Sequence, residues 1–218
     1  MFETILFDLD GTLSDSGIGI TKCAAAALAH FGIHKNPSEL TAFVGPPPTE
    51  LFTEKYGMTD EQSAVAMGMF RKRFSEKGIL ENAPYPGVKE LLRDLHTAGK
   101  RLCLATSKPR IYAQRILETD GLAGYFDIIM GSELSGERAK KTDVIKEVLR
   151  LLSETDTPIS GAVMVGDRKY DVLGAKSCGL PCIGVGYGYA DPGELQASGA
   201  DYYAPTIEDL RALLLPAD

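Results

Sequence analysis

From residue 88 onward the chain alternates short apolar runs with stretches of helical periodicity, and this alternation narrows the fold more than any other feature. Residues 88–98 carry a helical pattern closed by Gly99, 101–105 form an apolar run, and a helix with Pro109 in its first turn runs to about residue 119. Further apolar runs at 126–130, 161–165 and 181–185 are each followed by a helical stretch, at 142–152, 170–178 and 207–214. One more such run, 2–6, opens the chain. Strands separated by helices pair in parallel through right-handed crossovers, so the expected core is an α/β parallel sheet with helices on both faces. Ligands of such sheets lie beyond the carboxyl ends of the strands.

Residues 15–82 break this rhythm. Ser14 to Ser16 cap a helix that runs to Phe31 and stops at Gly32, with Ile20, Ala24, Ala27, Leu28 and Phe31 on one stripe. The run Phe43-Val44-Gly45-Pro46-Pro47-Pro48 is a stiff interruption. Helical patterns resume at 49–56 and 60–77, the latter with Met67, Phe70 and Phe74 on one side. No strand is expected here, so 15–82 reads as a helical insertion into a core made of 1–14 and 83–218.

The formal net charge of −7 disfavours a nucleic acid polymer or an anionic membrane as partner. A small anionic substrate remains compatible with it, because a local field governs such binding. Cys23, Cys103, Cys178 and Cys182 sit in apolar stretches without a Cys-x-x-Cys pair, as expected for free thiols in a reducing compartment. Met1-Phe2-Glu3 lacks a basic leader, and no apolar run approaches the roughly 18 residues of a membrane span. A cytoplasmic protein, monomer or homodimer, is expected.

The chemistry-bearing residues fall where the runs end. Asp8 and Asp10, in Phe7-Asp8-Leu9-Asp10-Gly11-Thr12, follow the first run. Residues two apart on a strand share a face, so their carboxylates enter one small volume and repel unless a cation or proton intervenes. An Asp-Gly turn alone would explain the pair equally well. Thr106 and Ser107 end the next run ahead of a helix start, where free main-chain N–H groups favour an anion, although a plain helix cap has the same composition. Asp167 and Asp171 follow Gly166 and supply further oxygen donors, a set suited to Mg²⁺. Lys140 and Lys141 precede the 142–152 helix, where one ammonium would offset phosphate and carboxylate charge; for a lysine taken alone, a solvated turn is the ordinary reading.

D-x-D-G-T, T-S-K-P, a lysine and G-D-x-x-x-D, in this order, resemble the haloacid dehalogenase superfamily over nearly the whole chain. The resemblance implies a Rossmann-like core with a small helical cap and a phosphatase activity. It makes Asp8 the nucleophile that carries the phosphoryl group and Asp10 the acid and base. It assigns Mg²⁺ to Asp8, the Asp10 carbonyl and Asp167 with Asp171 in support, and phosphate binding to Thr106, Ser107 and Lys141. Lys141 takes the family lysine position, with Lys140 adjacent.

Family dehalogenases lack an aspartate at the Asp10 position, and the related mutases carry a histidine where Ile20 stands. A phosphomonoesterase is therefore favoured over either. Phe43-Val44-Gly45-Pro46-Pro47, Glu81-Asn82 with Tyr85, and residues 131–138 are similar to the bacterial 5′-nucleotidase-like branch, a neighbour of phosphoglycolate phosphatases. A small phosphorylated metabolite, a nucleoside monophosphate or phosphoglycolate, is the expected substrate. The alternatives are a catalytically weak metabolite-binding regulator and a sugar-phosphate phosphatase or mutase. Within the insertion, Lys22, Gly45, Pro46, Pro47, Arg71, Arg73 and Lys77 are the candidates for substrate contact; for each of the cations a solubilising surface charge is the ordinary reading.

Overall fold

The structure is a computed structural model that describes residues 2–154 and 161–216. β1 (Thr4–Phe7) is buried along its whole length, as an apolar run with no polar alternation requires of a central strand. β2 (Ser14–Asp15) leads into α1 (Gly17–His30), α2 (Pro48–Glu54) and α3 (Asp60–Glu76), and β3 (Ala83–Pro84) returns antiparallel to β2. Then follow α4 (Val88–Thr97), β4 (Arg101–Pro109), α5 (Arg110–Thr119), β5 (Ile128–Ser132), α6 (Lys141–Ser153), β6 (Ala162–Gly166) and α7 (Lys169–Ser177). β7 (Cys182–Val185), α8 (Glu194–Ser198), β8 (Tyr202–Ala204) and α9 (Ile207–Leu214) complete the chain.

The main sheet has the order β5-β4-β1-β6-β7-β8, every pair parallel. Alternate strand residues sort into two cores. Ile5, Phe7, Leu102, Leu104 and Val165 pack with α4, α5 and α9, whereas Leu6, Cys103, Ala105 and Met164 pack with α6 and α7. Helices therefore cover both faces, and each buried aliphatic side chain contributes roughly 1.5–3 kcal/mol. β4 lies on one side of β1 and β6 on the other, so the strand order reverses at β1. A crevice opens at that reversal, beyond the carboxyl end of β1.

α1 and α3 pack against each other beside this end, and Phe70 and Phe74 of α3 stack with ring centroids 6.2 Å apart. A capping box between Thr59 and Gln62 starts α3.

The structure differs from the sequence reading in several places. The strand expected at 126–130 lies at Ile128–Ser132. β4 does not stop at Ala105 but runs to Pro109, which pairs with Ser132 after a register shift. A proline keeps the residue before it extended, and this carries the strand through Lys108. Asp15 belongs to β2, so a short strand pair closes the neck of the insertion. α8 and β8 were unforeseen: five and three residues are too few to display a period.

Candidate active site

The register fixes the site. Phe7 pairs with Leu104 on one side and Val165 on the other, and the Asp8 N–H donates to the Val165 carbonyl at 2.9 Å. Asp8 thus lies level with Ala105 within β4 and with Gly166 at the end of β6, and Thr106 and Asp167 follow directly. Gly11 adopts a left-handed φ of +84° and turns the chain away, and a Cβ there would fall 2.1 Å from an Asp167 oxygen. Only glycine fits.

Asp8, Asp167 and Asp171 bring carboxylate oxygens within 4.8 Å of one another, and all three are buried. Lys141 answers them: its Nζ lies 2.7 Å from Asp8 and 2.8 Å from Asp171, and donates to the Ala105 carbonyl at 2.9 Å. Lys140 is exposed at the helix N-cap. Burial raises the Asp8 carboxyl to about 6; Lys141 pulls it down and Asp171 adds to the rise. Asp167 is pushed well above the ordinary range by burial, then by Asp171 and Asp8, although the Tyr189 N–H donates to it at 2.7 Å. For Lys141, burial opposes the charge, yet Asp171 and Asp8 outweigh it and hold the ammonium above its usual pKa.

Three carboxylates against one ammonium leave the cluster short of positive charge. Its donor set is all oxygen, with no imidazole or thiolate, and Gly166 keeps clear the space where a Cβ would meet Asp171 at 2.2 Å. These residues fit a hard divalent cation such as Mg²⁺.

Asp10 has a separate partner. Both its oxygens accept from Lys108 Nζ, at 2.8 and 2.6 Å, and that ammonium lies 4.6 Å from the centre of the Phe74 ring. Thr106 is buried, and its hydroxyl oxygen accepts from the Lys108 N–H at 3.3 Å. Lys108 was missed in the sequence as a site residue, although it lies two positions from Thr106 on one strand and therefore shares its face. Tyr189 was missed likewise. Its N–H holds Asp167, while its hydroxyl accepts from the Gly17 N–H and donates to Asp15 at the neck of the insertion.

Beside Asp10 opens a cavity lined by Asp10, Ser107, Lys108, Tyr112, residues 45–48, and Ile20, Phe43, Met67, Phe70, Arg71 and Phe74 of the insertion. Of the insertion candidates, Gly45, Pro46, Pro47 and Arg71 line it. Arg71 has no hydrogen bond or ion pair among the described residues, and its Nε is buried without a partner. Lys22 and Arg73 are not among the lining residues: both pair with Glu81, at 3.0 and 2.9 Å. Lys77 is exposed and does not line it either.

The family model of haloacid dehalogenase-like hydrolases matches residues 5–185. The chain belongs to this family. A 5′-nucleotidase of Pseudomonas aeruginosa is 38% identical over 98% of this chain and 96% of its own length. The tyrosine-protein kinase PtkA of Mycobacterium tuberculosis is also 38% identical over 97% of this chain, which spans 72% of that longer protein. Among solved structures, a predicted phosphatase from Clostridium acetobutylicum superposes with a TM-score of 0.94 at 41% identity, covering 100% of both chains. Family and relatives together make this haloacid dehalogenase-like hydrolase a phosphoric monoester hydrolase. Among the described residues, no helix is long and apolar enough to cross a membrane.

Proposed function

We propose that the chain hydrolyses a small phosphomonoester, a nucleoside monophosphate or phosphoglycolate, through a phosphoryl group carried on Asp8. The observation that carries this reading is the position of Asp8 at the strand-order reversal, between Lys141 and the Asp167–Asp171 pair. An Asp8 oxygen attacks phosphorus and the ester bond to the leaving group breaks. Asp10 gives a proton to the departing oxygen. It then takes one from the water that attacks the acyl phosphate, so that inorganic phosphate leaves and Asp8 is restored. Lys141, with Thr106 and Ser107, binds phosphoryl oxygens. Asp8, the Asp10 carbonyl and Asp167, supported by Asp171, would hold Mg²⁺, whose chemistry here is to offset charge on carboxylate and phosphate.

Residues 15–82 act as a cap that excludes water from the cavity, with Arg71 and Gly45 touching the leaving group and Lys22 and Arg73 bracing the neck through Glu81. The four cysteines are free thiols, which supports a reducing compartment, the cytoplasm. A hydrolysis panel of phosphorylated metabolites with Mg²⁺ tests the reading. Wild type is expected to release phosphate and to show protein-bound phosphate after an acid quench, and Asp8→Asn to do neither. Full turnover by Asp8→Asn would sink it.

A further inference from the structure

Arg168 follows Asp167 directly in the chain, yet its guanidinium is committed elsewhere. Nε and Nη2 donate to the two oxygens of Glu194 at 2.9 and 3.3 Å, and Nη1 donates to the Val44 carbonyl at 2.9 Å. The side chain is almost fully buried. Glu194 is itself held, accepting from the Lys169 N–H at 2.8 Å and the Asp191 N–H at 3.3 Å. Arg168 therefore stands on a fixed base and reaches across to the insertion.

What it reaches is the root of the cavity wall. Val44 ends the 3₁₀ turn Thr41–Phe43, and residues 45–48 line the cavity immediately after it. Gly45 has φ +104°, and a Cβ there would lie 3.0 Å from Arg168 Cγ, so this backbone rests on the arginine stem. Three consecutive prolines continue from that point with φ fixed by their rings. Fixing Val44 and Gly45 thus sets the course of the wall. A buried Arg–Glu pair by itself adds little net stability, whereas a third hydrogen bond to a main-chain carbonyl 124 residues away fixes geometry.

We propose that Arg168 is a positioning residue for substrate binding, one that pins the 44–48 wall of the cavity to the loop carrying Asp167. The inference rests on the function proposed above, in that the leaving group fills this cavity. Substrates whose leaving group reaches the wall depend on Arg168, and those with a small one depend on it much less.

The test compares Arg168→Met with wild type on 2-naphthyl phosphate and acetyl phosphate, each with Mg²⁺ titrated. Losing the main-chain anchor is expected to raise KM for the naphthyl ester about tenfold more than for acetyl phosphate, the equivalent of one charged hydrogen bond. Half-saturation by Mg²⁺ stays in place, and amide hydrogen exchange across 41–54 speeds up. Arg168→Lys keeps a donor for Val44 and recovers part of the difference, while Gly45→Ala reproduces it with the Glu194 pair intact. Equal losses on both substrates, or a shift in Mg²⁺ half-saturation without faster exchange at 41–54, would overturn the proposal. If Arg168→Met does not fold, Glu194→Gln takes its place with the same readouts. Should wild type hydrolyse neither of these substrates nor any member of the metabolite panel, the proposed function fails, and hydrogen exchange alone decides whether Arg168 anchors the wall.

Discussion

Lys141 ends on two carboxylates and a main-chain carbonyl, all inside the protein. Replacing it by methionine keeps the stem that packs against Gly174 but strands Asp8 and Asp171 without their shared cation. An uncompensated buried charge costs roughly 3–5 kcal/mol, so Lys141→Met is expected to lower the urea midpoint sharply and to lose turnover, whereas Lys140→Met, at an exposed position, changes neither. The two arginines of α3 divide in the same manner. Arg71 lines the cavity with an unpartnered buried Nε, while Arg73 is spent on Glu81 and Cys23. Steady-state kinetics of Arg71→Met should show KM up by about tenfold with kcat little changed. Arg73→Met should leave KM alone and cost about 1 kcal/mol of stability, because its pair is partly exposed. A KM effect at Arg73 instead of Arg71 would reverse the assignment of the cavity as the substrate site.

The elements that carry the site are strand ends, and each is shaped by what the backbone can do just past the last sheet hydrogen bond. Gly11 combines a left-handed φ with an approach to Asp167 that leaves no room for a methyl group. Gly11→Ala is expected to cost about 1–3 kcal/mol from backbone strain alone, before any displacement of Asp167. Thermal melts and Mg²⁺ titration would read both effects, and an unchanged melt would show that the turn relaxes freely. The same local logic explains what was legible in the sequence. Asp8 and Asp167 were readable because each follows an apolar run whose end is marked by a change of residue type, and Asp171 because it stands four residues beyond Asp167. The helices between β2 and β3 were readable from stripes such as Phe70 and Phe74. Lys108 was not, because sequence placed it in a helix cap, and only the prolonged β4 turns it towards Asp10. Nor were Arg168 with Val44 or Tyr189 with Asp15, since pairs more than 120 residues apart leave no periodic trace.

At the scale of the whole molecule, the fold stores like charge at its centre, and this makes its stability depend on pH and on metal together. Asp8 titrates near 6 in the folded protein against 3.8 for a free side chain, with burial the main cause, and Asp167 shifts in the same direction. A group whose pKa is raised by folding binds protons more tightly in the native state. Its contribution is complete below the unfolded pKa and is lost as pH rises through the folded one. The metal-free protein should therefore lose stability between about pH 4 and pH 6 through Asp8, and Asp167 acts in the same direction. Glu194 has the opposite sign: burial raises its pKa, but hydrogen bonds from Arg168 and the Lys169 N–H bring it below normal, so its contribution fades only in stronger acid. A bound divalent cation competes with those protons and favours the ionised cluster. At about a hundred times its dissociation constant it would add roughly 2.7 kcal/mol. Urea midpoints measured at about pH 5 and pH 7.5, each with EDTA or with Mg²⁺, are expected to show a Mg²⁺ increment that grows with pH and shrinks in Asp167→Asn. An increment of the same size at both pH values, or one that survives in Asp167→Asn, would mean that the cation stabilises the fold from somewhere other than the Asp8–Asp167–Asp171 cluster.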